Sequence, residues 1–232
     1  MAEAKSAGSR ADTVSMAIRE DILAGRLEPG ARLTFPALSA EHGVSVGVLR
    51  EALARLVDRG IVRSQPNLGF RALPVSTEAL AELEKVRVLV EPLFVRQSVL
   101  EGPLQWETDI VAARHRLERT PFFDAEGRPS NADWCAAHTA FHIALTSGTG
   151  SARILEIMER MRDETTIHHR WVATYDSDTV ARMAAEHHEL AEAALAHDAE
   201  RATDLMRAHI ESALHEATGG PLRSGSSSAA SI

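Results

Sequence analysis

Apolar residues recur with the 3.6-residue period of a helix along most of this chain, and the period breaks in one place. Val14, Ile18 and Ile22 repeat every four residues and predict a helix from Asp12 that Gly25 stops. "LEPGARL" then reads as a turn through Pro29-Gly30. Thr34 is the expected N-cap of a short second helix, with Pro36 in its first turn and Gly43 at its end. Ser45 caps a third, whose stripe of Leu49, Ala52, Leu53, Leu56 and Val57 is closed by Gly60. There the period shortens to two: "IVRSQ" and "FRAL" are strand candidates around the turn "PNLG". Beyond the link Pro74-Val75-Ser76 only helices follow, over 77–101, 106–119, 131–147, 151–173, 178–196 and 199–217. Loops at "TPFFDAEGRPS" and around Tyr175-Asp176 interrupt them.

The predicted fold class is therefore mainly α, in two domains. Three short helices and a hairpin over residues 12–74 make a winged helix-turn-helix, with "HGVS" as its turn. An all-α bundle follows over 75–218, while 1–11 and 219–232 are small, polar and expected to be disordered. Charge divides the same way. The formal net charge is −8, yet between Ser45 and Leu73 five arginines (Arg50, Arg55, Arg59, Arg63, Arg71) face only Glu51 and Asp58. A basic first third suits a nucleic acid; the acidic remainder needs another partner. The single cysteine, Cys135, excludes an intrachain disulfide and a thiolate zinc cluster, and no apolar run reaches membrane-span length. A cytoplasmic protein with no membrane partner is expected.

Histidine placement is the main chemical anomaly. On the predicted helix 131–147, Trp134, His138, Phe141 and Leu145 share one face, with His142 one turn beyond His138. Met183, His187, Leu190 and Ala194 form a stripe on the next-to-last helix, as Ala202, Leu205, Met206, His209 and Ala213 do on the last. Either these are core histidines each satisfied by a hydrogen bond, or one ion satisfies all four together. His42, His115, His168, His169, His188, His197 and His215 default to surface or loop positions. Arg87 also faces inward, among Leu80, Leu83, Val90 and Phe94. It is either paired with Glu91 one turn away or a fork for an organic acid. Pro92 should kink that helix and help to open a cavity.

Residues 12–74 closely resemble the DNA-binding half of GntR-type transcription regulators, through "LEPGARL", "LSAEHGVS", "LREALARLVDRGIV" and the wing "PNLGF". The resemblance implies DNA contacts at Ser45, Val46, Gly47, Arg50 and the wing Gly69, but with departures. Val46 and Gly47 stand where such regulators carry an arginine and a polar residue, Phe35-Pro36 replaces an acidic-basic pair, and Leu68 replaces a basic residue. Base-edge readers are thus depleted and phosphate contacts retained, so binding should depend strongly on salt.

Residues 77–217 resemble the all-helical FCD effector domain of one GntR subfamily, through "EKVRVLVEP", "FHIALTSGT", "EHHELAEAALAHDAERA" and "MRAHIES". In metal-binding members an Asp and three histidines hold the ion; carried over, the histidines are His142, His187 and His209, with His138 at the Asp position. Similar domains place an arginine at Arg87, facing the ligand cavity. An all-imidazole set is neutral and nitrogen-only, favouring Zn, with Ni or Cu next, over Mn or Mg.

The expected protein is a homodimeric regulator binding a double-stranded operator, a divalent transition metal and a small organic acid. Two alternatives stand beside it: the same regulator with a purely structural metal, and a metal-dependent helical-bundle enzyme. Against the enzyme, the chain holds neither HExxH nor a Glu-x-x-His pair.

Overall fold

The computed structural model describes residues 9–127, 129–173 and 175–219, divided between two compact units, Met1–Pro74 and Val75–Ile232. The expected disorder of residues 1–8 and of the tail from 220 lies outside the described residues.

In the first unit, α1 spans Arg10–Leu23, two residues ahead of the expected start. Ser9 and Asp12 explain the difference, because they form a capping box in which each side chain accepts from the other's backbone N–H. Helices α2 (Phe35–His42) and α3 (Val46–Asp58) follow, and Gly43 ends α2 in the left-handed region at φ 62°. Thr34 occupies the N-cap position of α2 without a side-chain cap bond. The hairpin is β2 (Val62–Gln65) and β3 (Gly69–Ala72), antiparallel, with Gln65 opposite Gly69. A strand absent from the sequence expectation, β1 (Arg32–Leu33), pairs with β3 on its other side, giving the order β1-β3-β2. Two residues are too few to carry a readable alternation. Ile18, Ile22, Leu49, Leu53, Leu56 and Ile61 are fully buried between α1, α3 and the sheet.

The second unit is a bundle of α4 (Thr77–Glu101), α5 (Leu104–Arg119), α6 (Ala132–Thr146), α7 (Ala152–Val172), α8 (Ser177–Leu195) and α9 (Ala199–Gly219). Ser76, Ser151 and Asp176 cap α4, α7 and α8 through side-chain bonds to the first turn. The core joins Val95, Ile110, Phe141, Leu145, Leu190, Met206 and Ile210, with alanines on α8 and α9 between them. Trp106 fills the α5–α6 contact and donates its indole N–H to the Ala144 carbonyl at 2.9 Å. Gly148 permits a close crossing, since a Cβ there would stand 2.6 Å from the Ser98 carbonyl oxygen. Pro92 lies inside α4 and cannot donate to Val88 four residues back. That carbonyl instead accepts from the Arg207 guanidinium of α9 at 3.4 Å. Among the described residues no helix is long and apolar enough to cross a membrane.

Candidate metal centre and nucleic-acid interface

The bundle brings the four expected histidines together. His138 and His142 come from successive turns of α6, His187 from α8 and His209 from α9. Nε2 of His138 lies 3.0 Å from Nε2 of His142 and 3.1 Å from Nε2 of His187. One ligand atom from each of the four falls within 4.8 Å of every other. Ligand nitrogens about 2.0–2.1 Å from zinc lie about 3.3 Å apart on a tetrahedron and about 2.9 Å apart at right angles. The two separations at His138 fall between these values. A single proton cannot satisfy His138 Nε2 against both neighbours, whereas an ion among them would accept every lone pair.

Supporting groups favour the same use. The Glu186 carboxylate accepts from His209 Nδ1 at 2.8 Å, which turns Nε2 of His209 toward the cluster. Trp134 stacks on the His138 ring, 4.5 Å between centroids. Burial, then the Arg162 charge, pushes His138 and His142 well below the usual imidazole range; burial and His209 do so for His187. His209 is lowered by burial, with Glu186 opposing. Neutral imidazole is the ligating form.

Beside the cluster lies a cavity of about 40 Å³, lined by His138, His209, Trp134, Tyr175, Arg87 and Arg162 among others. That is room for about three water molecules. Arg87 reaches its wall as expected, but already holds two internal carboxylates. Its Nε and Nη2 donate to Glu91 at 2.5 and 3.2 Å, and Nη1 donates to both oxygens of Glu84 at 2.8 Å. Burial raises Glu84, but Arg87 and then His169 more than offset this and hold it at about 2.

Arg162, on α7, is the residue that sequence reasoning missed. It is 1% exposed, its Nη2 lies 3.3 Å from His138 Nδ1, and its Nη1 lies 3.9 Å from Glu91. Its Nε and Nη1 have no hydrogen-bond partner among the described residues. Burial and the neighbouring Arg87 draw its pKa down to about 10, so it remains a cation. Its signal was partial, because the stripe Met158, Met161, Thr165, His168 and Val172 that buries one face of α7 beside Arg162 is only partly apolar. The same stripe corrects the surface reading of His168, which is fully buried and lowered to about 4, chiefly by desolvation. His169 is also drawn inward, between Glu84 (3.1 Å) and the Tyr175 hydroxyl (2.7 Å).

In the first unit, Ser45 caps α3 by accepting from the Val48 N–H at 3.5 Å, and Val46, Gly47 and Arg50 are exposed beyond it. The Arg50 guanidinium lies 5.3 Å from the Phe35 ring centroid, and Gly69 takes φ 85° at the start of β3. At least two of the five arginines in this segment are engaged internally. Arg55 pairs with Glu51 and Asp12, and Arg71 donates to Gln65 and to the Gly30 carbonyl.

Comparison with known proteins decides the family. Residues 10–71 match the model for bacterial regulatory proteins of the gntR family, and residues 82–212 match the FCD domain. The HTH-type transcriptional regulator BphR of Paraburkholderia xenovorans (strain LB400) is 38% identical over 85% of this chain and 80% of its own length. The chain belongs to the GntR family. The HTH-type transcriptional repressor GlaR of Escherichia coli (strain K12) is 30% identical, over 83% of this chain and 89% of that one. A GntR transcriptional regulator from Rhodococcus sp. RHA1 superposes with TM-score 0.75 at 26% identity, over 92% of this chain and all of that one. E. coli McbR/YncC shares the fold, with TM-score 0.73 at 21% identity, over 88% and 94% of the two chains. This GntR chain is thus a DNA-binding transcription regulator with an FCD domain, and its relatives are regulators, not enzymes.

Proposed function

We propose that this regulator holds one divalent transition metal, zinc before nickel or copper, on His138, His142, His187 and His209, and that a small carboxylate modulates operator binding from the adjoining cavity. One observation carries the effector half: Arg162 is buried with two donors unmatched, next to the imidazole cluster. A metal that accepts a fifth ligand would supply a Lewis acid for a carboxylate oxygen, and an unmatched Arg162 donor would hold the same group from the other side. Charge supports an anion there. Arg87 and Arg162 are balanced by Glu84 and Glu91, so a divalent ion on neutral imidazoles would add charge that the cavity wall does not offset. Arg87 takes part as the group that fixes Glu84 and Glu91 on the wall.

A homodimer fits the α4 surface. Val86, Leu89, Leu93 and Leu100 are exposed at 49, 67, 58 and 60% and recur along one side of that helix, as an interface with a second copy would need. That assembly would carry two winged helices onto paired half-sites.

A purely structural metal is the second reading, favoured by the number of protein nitrogens available, since four close a tetrahedral site. Elemental analysis of purified protein tests the metal, with about one ion per chain expected. Full metal content in both His142→Ala and His209→Ala would remove the site. Calorimetric titration of metal-loaded protein with acetate, lactate and succinate, beside glucose as control, tests the effector. No heat from any acid would leave the structural reading.

A further inference from the structure

The first turn of α3 is built unlike a set of polar base readers, and packing within its own unit does not require the glycine in it. Val46 opens the helix with 46% of its surface exposed, although valine is a poor helix former. Gly47 follows, and no packing demands it: a Cβ there would meet only the Ser45 hydroxyl at 3.8 Å, an ordinary contact. A glycine in a helix weakens it. A projecting pair of methyls beside a position with no side chain is a shape suited to another methyl group approaching closely. One turn on, Arg50 is held over the face of Phe35, and Phe35 meets Phe70 of β3 edge to face at 6.1 Å. The Phe35 ring, itself packed on Phe70, thus lies under the only cation in the first five residues of the helix.

We infer that Val46 and Gly47 read the 5-methyl group of a thymine, and that Arg50, oriented by Phe35, reads a guanine beside it. In the major groove the thymine methyl is the one apolar feature a base pair offers, and a guanidinium matches guanine O6 and N7 in a fork. Val46 and Arg50 are four residues apart, about 6 Å along the helix axis. That spans one to two base-pair steps of about 3.4 Å. The inference rests on membership of the GntR family and is independent of the metal and the effector.

The full chain is used to select binding sites from a random-sequence duplex pool. The selected site is then remade with deoxyuridine for each thymine, which removes only the methyl, or 7-deazaguanine for each guanine, which removes only the N7 acceptor. At one thymine per half-site, deoxyuridine should weaken wild-type binding about fourfold per methyl, or about 0.8 kcal/mol. Val46→Ala should be indifferent to that change, and Val46→Thr, which keeps one γ-methyl, should still feel it. The deazaguanine penalty should vanish in Arg50→Ala. A wild type insensitive to every deoxyuridine, or a penalty equal in Val46→Ala, overturns the thymine assignment. Equal loss by Arg50→Ala on selected and random DNA makes Arg50 a phosphate contact and overturns the guanine assignment.

Discussion

Arg162→Met removes a buried guanidinium while keeping most of its volume, and two opposing effects set the outcome. Nε and Nη1 are buried without partners, and each unmatched donor costs about 1–3 kcal/mol that methionine recovers. Against this, Nη1 lies 3.9 Å from Glu91, an attraction of about 4 kcal/mol at an effective dielectric near 20. Relief of repulsion from Arg87 returns part of that. The net change without ligand should stay within about 2 kcal/mol, a few degrees in melting temperature for a domain of this size. The ligand response should change as well. One charge-assisted bond of about 1.5–3 kcal/mol would be lost, lowering carboxylate affinity about ten- to a hundredfold. Differential scanning calorimetry with and without the acids reads both quantities. Arg87→Met is the contrast: it strands two buried carboxylates and should cost about 3–5 kcal/mol whether or not ligand is present. Retention of the full carboxylate-induced shift by Arg162→Met would refute the contact between Arg162 and the acid.

Three further outcomes are expected. Stability should fall on acidification below about pH 6.5, because His138, His142, His187 and His209 are depressed in the fold and the unfolded chain binds more protons; melting temperature from pH 8 to pH 5 checks the sign, and a flat profile would contradict it. Leu89→Glu with Leu93→Glu should convert a dimer to monomers in sedimentation velocity while leaving helix content intact; an unchanged sedimentation coefficient would assign that face elsewhere. Affinity for random DNA should fall steeply with salt, but with a slope below that of five phosphate contacts, since Arg55 and Arg71 are internally bonded and Arg50 is assigned to a base edge.

Much of this was legible in the sequence where periodicity was regular. The stripes on α6, α8 and α9 placed all four histidines on inward faces, and the bundle made them meet. The order of α1, α2, α3 and the hairpin followed from caps, glycines and one change of period. What escaped had physical causes. Strand β1 is two residues long, and its pairing with β3 depends on a partner nearly forty residues away. Arg162 and His168 lie on α7, where long polar side chains interrupt the apolar stripe and the burial comes from the neighbouring helices. Arg87 was legible as buried, but Glu84, the second carboxylate that completes its coordination, lies three residues back on the same face.

The exchange at Pro92 bears on how this bundle deforms. One turn of α4 lacks its own longitudinal bond and is braced from outside by Arg207, so its bending stiffness there is borrowed from α9. Arg207 sits two residues before His209, on the helix that carries a proposed metal ligand. A displacement of α9 along its axis would slacken or tighten the brace at the weakest point of α4, whose first cap, Ser76, stands two residues beyond the unit boundary at Pro74. A shift of α9 at His209 would therefore meet α4 where that helix has no longitudinal bond of its own.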